Sequence, residues 1–507
     1  MPGEPNKRAW GTLGAVPAGD QVEFRVWAPS ASSVGVRHGG RDHGLDACEG
    51  GTFEGTFPAR AGDDYLFVLD RATALPDPCS RFQPDGVHGP SRVVDVTRLE
   101  IAPGPELSPE ELVLYELHVG AFSEEGTFDG VIPHLAGLHE LGVTAIELMP
   151  VGTFPGRRNW GYDGLYTSAP HPVYGGPQGL ARLVDAAHRE KLGVVLDVVY
   201  NHIGPGADAI AAFGPYFTDR HRTFWGDALD YAQRGVREWA IQNAELWVRD
   251  YRVDGLRLDA THAVFDDSPL HVLAELKHRV DSALVISEME VGDWRPLDEW
   301  GHDAQWADAS HHELHVLLTG ERDGYYHDYG SIAGLERRLE GEGHPPERLV
   351  VCAQNHDQVG NRAVGDRLPP DALMVAAGVT LFSNETPLLF MGEEYAEPNP
   401  FQFFTDHDDP LVADATREGR RAEFAEFAAF AGEDVPDPQS EVTFLRSKLS
   451  RVADESHRDF YRRLLALRRE LPRELEASAD DDVLRLRRGK VELVADFDAR
   501  TVELRGA

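Results

Sequence analysis

Four short segments of the 507-residue chain gather acids, histidines and an arginine. They read Asp197-Val-Val-Tyr-Asn201-His202, Arg257-Leu-Asp259, Ser287-Glu288-Met-Glu290 and Gln354-Asn355-His356-Asp357. Two carboxyl groups flanking a bond are the arrangement that cleaves a glycosidic linkage. One must be ionised, to attack or to stabilise an oxocarbenium ion. The other must stay protonated, to donate to the leaving oxygen. Arg257 stands two residues before Asp259, so on a strand it shares a face with it. A fixed guanidinium there would hold Asp259 ionised and aim it, which fits a nucleophile. Glu288 has no cation beside it in sequence, which suits the proton donor.

Other chemistries fit less well. His118, His202, His262 and His356 lie near acids, but none shows the H-E-x-x-H spacing of a zinc site. No G-x-S-x-G nucleophile elbow occurs. Neither a metal nor a cofactor is expected. Imidazoles instead suit hydrogen bonds to sugar hydroxyls. Aromatic residues cluster after the second and third barrel-type strands: Trp160, Tyr162, Tyr166, Tyr174, Phe213, Tyr216, Phe217, Phe224 and Trp225. Aromatic faces stack on glucose rings, yet most of these read as loop packing. Trp160 and Tyr162 are the exceptions, because they sit in a polar, glycine-bearing run, Asn159 to Gly164.

The four segments act together only if strand ends converge. Short apolar runs occur at residues 112–119, 143–149, 194–199, 255–258, 284–287, 305–307, 349–353 and 387–391. Helix-period stretches such as 177–192 and 236–251 lie between them. Buried parallel strands alternating with helices mean an α/β domain. Eight such units in about 300 residues suggest a (β/α)8 barrel of the TIM type, whose C-terminal strand ends carry the site. A doubly wound sheet is the alternative, but no G-x-G-x-x-G follows the first strand. Before the barrel, Val22 to Trp27 alternates apolar and polar, as a half-buried strand must, and residues 65–69 form another strand. Glycine pairs at 39–40 and 50–51 punctuate this region. The expected organisation is multidomain α/β: an N-terminal β-sandwich over 1–95, a catalytic barrel over 96–472, and a short C-terminal β domain over 473–507. Residues 417–430 and 459–469 read as helices. The last part reads as strands at 483–486, 491–494 and 502–504.

Composition narrows the partners. Lys and Arg total 49 and Asp and Glu total 86, a net charge of −37. Such a surface repels nucleic acids and anionic membranes and accepts a neutral sugar. The longest apolar run, 372–382, is too short to span a bilayer. No secretory signal is visible at the start. The three cysteines show no C-x-x-C spacing, so buried thiols and a cytoplasmic location are expected.

In this order, the four segments resemble the four motif regions of the α-amylase superfamily of glycoside hydrolases. That resemblance implies a retaining mechanism through a covalent glycosyl-enzyme, with Asp259 as nucleophile, Glu288 as general acid/base and Asp357 as the third acid. It implies that Tyr162, His202, Arg257 and His356 line the subsite of the attacked glucose. Asp197 and Asn201 would shape the site. Residues 80–90, 154–166, 214–219, 303–306, 317–326, 354–362 and 391–407 are similar, more narrowly, to the maltooligosyltrehalose trehalohydrolase family. The implied substrates are maltooligosyltrehalose and related α-1,4-glucan oligosaccharides, supplied by a preceding synthase. Trp160, His262, Phe403 and Asp406 are the further substrate-binding candidates, with Phe404 beside them. The run Met289 to Asp293 departs from the family's pattern, and Glu290 shares a strand face with Glu288. A branching enzyme is the nearest alternative. A non-catalytic glucan-binding protein would need more exposed aromatics than Trp10 and Trp27 in the first domain.

Overall fold

The computed structural model describes residues 10–340, 343–424 and 435–506. It opens with two antiparallel sheets. One joins Gly14–Ala18, Gln21–Trp27, Thr52–Phe57 and Asp46–Ala47; the other joins Arg41–Gly44, Val34–His38, Asp64–Leu69 and Thr73–Leu75, with Ser91–Arg92 paired to Asp64–Leu69. Val22, Phe24 and Val26 point inward, as their alternation predicts. Phe24 stacks on Phe57 within its sheet at 4.6 Å and meets Tyr65 of the other sheet edge-on at 5.1 Å. Trp27 is buried and faces the barrel. A Cβ at Gly235 would lie 2.0 Å from the Trp27 ring, so only glycine permits this close docking.

The barrel is closed and all-parallel: β1 (Leu114–Leu117), β2 (Ala145–Leu148), β3 (Gly193–Val198), β4 (Gly255–Leu258), β5 (Leu284–Ser287), β6 (Ala304–Trp306), β7 (Leu349–Cys352) and β8 (Thr386–Phe390). All eight expected runs are strands, shifted by a residue or a few at their ends. Seven of the strands are buried at every residue; Leu284 of β5 is partly buried. This is why they read as unbroken apolar runs. The register sets Asp197 of β3 opposite Arg257 of β4, and Leu258 opposite Ser287 of β5. Asp259 and Glu288, the next residues, therefore emerge side by side at the barrel mouth.

Helices wrap this barrel: α1 (Gly176–Arg189), α2 (Arg234–Glu245), α3 (Asp308–Thr319), α4 (His356–Gly360), α5 (Pro370–Phe382), α6 (Pro410–Phe424) and α7 (Glu455–Glu470). The apolar run 372–382 forms α5. It is buried almost all round, between the barrel and the C-terminal sheet. Among the described residues, no helix is long and apolar enough to cross a membrane. Helix α6 begins at Pro410, earlier than expected, and the part of the expected helix beyond Phe424 lies outside the described residues. The C-terminal sheet has four strands, Glu476–Asp480, Val483–Arg488, Val491–Asp496 and Thr501–Arg505, where three were expected. The extra strand, Glu-Ala-Ser-Ala-Asp, lies at the edge and carries no large apolar side chain, so it leaves no hydrophobic pattern.

Candidate active site

Arg257 organises the barrel mouth. It is fully buried, inward-facing on β4, with the Trp306 ring 4.2 Å from its guanidinium carbon. Its Nη1 donates to Asp197 at 2.8 Å and to Asp259 at 2.9 Å. Its Nη2 donates to Glu288 at 2.7 Å. Glu288 thus does have a cation beside it, from the neighbouring strand, and the expectation drawn from sequence is corrected. Burial works against the Arg257 charge, but Asp197 and Glu288 outweigh it and push the guanidinium well above its ordinary range.

The backbone here is held as firmly. Ala260 has φ +41°, a left-handed conformation a non-glycine residue rarely takes. That turn aims its N–H at Glu288 Oε2, 2.9 Å away. The Glu288 amide in turn donates to Leu258 O at 3.0 Å. Asn201 Nδ2 donates to Asp259 Oδ2 at 2.7 Å. Glu290 is exposed, while Glu288 opens onto the central cavity. The two acids that share a face in sequence are separated because β5 ends at Ser287.

A second chain of hydrogen bonds crosses the floor. Tyr162 donates its hydroxyl proton to Asp197 Oδ2 at 2.7 Å and lies 2.7 Å from His356 Nε2. His356 Nδ1 contacts Glu116, whose other oxygen accepts the His356 amide at 2.8 Å. Burial alone would lower the His356 pKa. The charges of Glu116 and Asp357, with the Glu116 hydrogen bond, raise it instead to about 10. A doubly protonated imidazole satisfies the chain, with Nδ1–H toward Glu116 and Nε2–H toward Tyr162. Burial lifts Asp197 to about 7 against the pull of Arg257. Burial, then the charge of Glu288, raises Asp357 despite His356, and Asn361 Nδ2 donates to it at 3.0 Å. Burial lowers His202, whose Nδ1 meets Asn201 Oδ1.

These groups face a cavity of about 740 Å3, large for a single monosaccharide and suited to an oligosaccharide. Asp259, Glu288, Asp357, His202, His262, His356, Tyr162, Trp160 and Phe403 all line it. Arg257 lies beneath. Trp160 is buried, stacked on Phe401, with Nε1 donating to Gln402 O at 3.1 Å. Asp406 does not line the cavity. Its carboxylate takes the Arg158 guanidinium at 2.7 Å and the Arg157 amide at 2.8 Å, so its place in substrate binding is withdrawn. Two loop aromatics read as packing are cavity residues. Trp225, 48% exposed, stacks on His202 at 4.7 Å, and Phe224 is 96% exposed at the same hairpin tip. Tyr166, Tyr174, Phe213 and Tyr216 are buried packing, as expected. Helix α6 supplies a further wall that no local motif announced, with Arg420 and Phe424 on the cavity. Among the described residues, no cluster of three His, Cys, Asp or Glu side chains suits a metal ion.

A closed parallel barrel whose C-terminal mouth holds paired carboxyls over a buried guanidinium defines an α-amylase-type glycoside hydrolase. A family model for the alpha amylase catalytic domain matches residues 118–225. A malto-oligosyltrehalose trehalohydrolase from Deinococcus radiodurans is 44% identical, over 94% of this chain and 87% of that protein. One from Saccharolobus solfataricus is 41% identical, over 89% and 86%. The chain belongs to the malto-oligosyltrehalose trehalohydrolase family. A crystal structure of a putative alpha amylase from Salmonella typhimurium superposes with a TM-score of 0.88 at 36% identity, covering 95% of this chain and 92% of that one. A 1,4-alpha-glucan branching enzyme from Salinibacter ruber is 31% identical over only 49% of this chain and 46% of its own.

Proposed function

We propose that the protein hydrolyses the α-1,4-glucosidic bond next to the terminal trehalose of maltooligosyltrehalose, releasing trehalose and a maltooligosaccharide. Glu288 protonates the glycosidic oxygen as Asp259 attacks the anomeric carbon, forming a glycosyl ester. Glu288 then takes a proton from water, whose oxygen replaces Asp259 on the sugar. Asp357 grips hydroxyls of the attacked ring, and Tyr162, His202, Arg257 and His356 shape its subsite. Trp160, His262 and Phe403 bind neighbouring sugar units.

The carrying observation is the Arg257 clamp. One guanidinium holds an oxygen of Asp259 and an oxygen of Glu288 on its two terminal nitrogens. Sharing one guanidinium supports two carboxyls close enough for direct attack by Asp259, and hence retention. Family membership along nearly the whole chain supports the trehalose end as the point of cleavage. On this reading a synthase must first make the substrate. Three cysteines free of disulfides support a reducing compartment, the cytoplasm. We retain the domain division 1–95, 96–472 and 473–507, supported by where the sheets begin and end.

The test is product analysis. Maltotriosyltrehalose is expected to give trehalose and maltotriose, with little reaction on maltopentaose. New α-1,6 linkages would establish a branching enzyme instead. Cleavage of maltopentaose alone would mean an ordinary amylase.

A further inference from the structure

Glu288 is held by more than Arg257, and the rest of the grip comes from the turn that follows Asp259. Glu288 Oε2 accepts from Arg257 Nη2 at 2.7 Å and from the Ala260 amide at 2.9 Å. Among the described residues, Glu288 Oε1 has no hydrogen-bond partner, and the side chain opens onto the large cavity.

The backbone of Glu288 is fixed by the same turn. Its amide donates to Leu258 O at 3.0 Å. Its carbonyl accepts twice, from the Thr261 amide at 3.0 Å and from Thr261 Oγ1. Two donors fill both lone pairs of that oxygen. Thr261 is 1% exposed, so no solvent competes for its hydroxyl. The other neighbour of Oγ1 is Met289 Sδ at 3.3 Å, a weak acceptor. Ser287, on the other side of Glu288, is anchored separately: its Oγ lies 2.6 Å from His302 Nδ1, whose Nε2 meets Leu273 O at 3.2 Å. Ala260 and Glu288 line the large cavity, but Thr261 does not.

We propose that Thr261 is a positioning residue for the general acid: its hydroxyl and amide clamp the Glu288 carbonyl, which seats Oε2 on the Ala260 amide and leaves Oε1 as the oxygen that hands the proton to the leaving sugar. The inference rests on Glu288 being the acid of the reaction proposed above. Thr261 touches no reacting atom and acts only through Glu288. Without its hydroxyl the end of β5 can shift, and a displacement of about 1 Å at a reacting group costs on the order of 100-fold in rate.

The experiment compares two substrates. Maltotriosyltrehalose has a sugar leaving group that needs a proton. Maltotriosyl fluoride loses fluoride ion, which needs none, as the Asp259 carboxylate forms its bond to the anomeric carbon. On maltotriosyltrehalose, Thr261→Val and Thr261→Ala should lower kcat about tenfold to hundredfold with KM nearly unchanged. Thr261→Ser, which keeps the hydroxyl, should recover most of the loss. First-turnover fluoride release should stay within about threefold of the parent in all three variants. Glu288→Gln sets the limiting case, releasing fluoride but leaving maltotriosyltrehalose uncut. Fluoride release that falls with kcat, failure of Thr261→Ser to recover, or unchanged kcat in both Thr261→Val and Thr261→Ala overturns the inference. A Glu288→Gln that cleaves maltotriosyltrehalose overturns the mechanism beneath it; a Glu288→Gln that splits the two substrates while the Thr261 variants do not overturns the inference alone. If the parent cleaves maltopentaose instead, the same split is read on that substrate, because it concerns the acid and not the trehalose end.

Discussion

The floor and the rim of the cavity are built differently. The floor is made of strand ends: Arg257, Asp197, Asn201 and His356 are almost wholly buried, each bonded to another floor residue. The rim is a hairpin tip and a late helix. Phe224 and Trp225 project at the tip, and α6 brings Arg420, which lies 5.4 Å from the ring of Phe403. On the proposed function, the floor fixed by strand register would set the bond-breaking chemistry, and the rim held by side-chain stacking would set how long a sugar chain stays. The contrast implies that floor variants lose kcat or fold, and rim variants lose KM.

Removing the attacking group tests the floor most severely. Asp259→Asn should cut kcat by a factor on the order of 10^4, the scale on which loss of a reacting group is felt. Circular dichroism should show the fold intact, and substantial residual turnover would assign the nucleophile elsewhere. Next is Arg257→Met. It leaves three buried or half-buried acids without their cation and should cost about 3–5 kcal/mol of stability in urea unfolding, along with activity. Loss of activity without loss of stability would show that the clamp does not carry the fold.

At the rim, Trp225→Ala should raise KM about threefold to tenfold, as expected for one aromatic contact, with kcat and melting temperature nearly unchanged. An equal drop in kcat would blur the distinction between floor and rim. The remaining effect is electrostatic. His356 has a folded pKa raised from 6.5 to about 10. Its contribution to stability is fully present below about pH 6.5 and is lost as pH climbs through about 10. Glu116→Gln should therefore narrow the difference between unfolding midpoints taken at about pH 6 and about pH 9. Parallel curves for parent and variant would mean Glu116 does not hold the imidazolium.

The same contrast explains what the sequence reveals. Barrel strands such as Val-Leu-Asp-Val and Gly-Leu-Arg-Leu are legible because burial on both faces leaves a continuous apolar run with one polar residue at the end. The pairing of Arg257 with Asp259 is legible from i, i+2 spacing. Its bond to Glu288 is not, because only the β4–β5 register brings residues 31 apart in sequence together. Asp406 has the right type and lies in the right segment, but its partner Arg158 is 248 residues away. Trp225 has no local signal separating it from buried neighbours such as Tyr216; exposure decides, and exposure is a property of the assembled loops.

One cation bound to three acids also sets how substitutions here combine. Because Asp197, Asp259 and Glu288 share a single guanidinium, the effect of altering any one depends on the others. The four positions behave as one thermodynamic unit, so the cost of a double substitution among them departs from the sum of its parts.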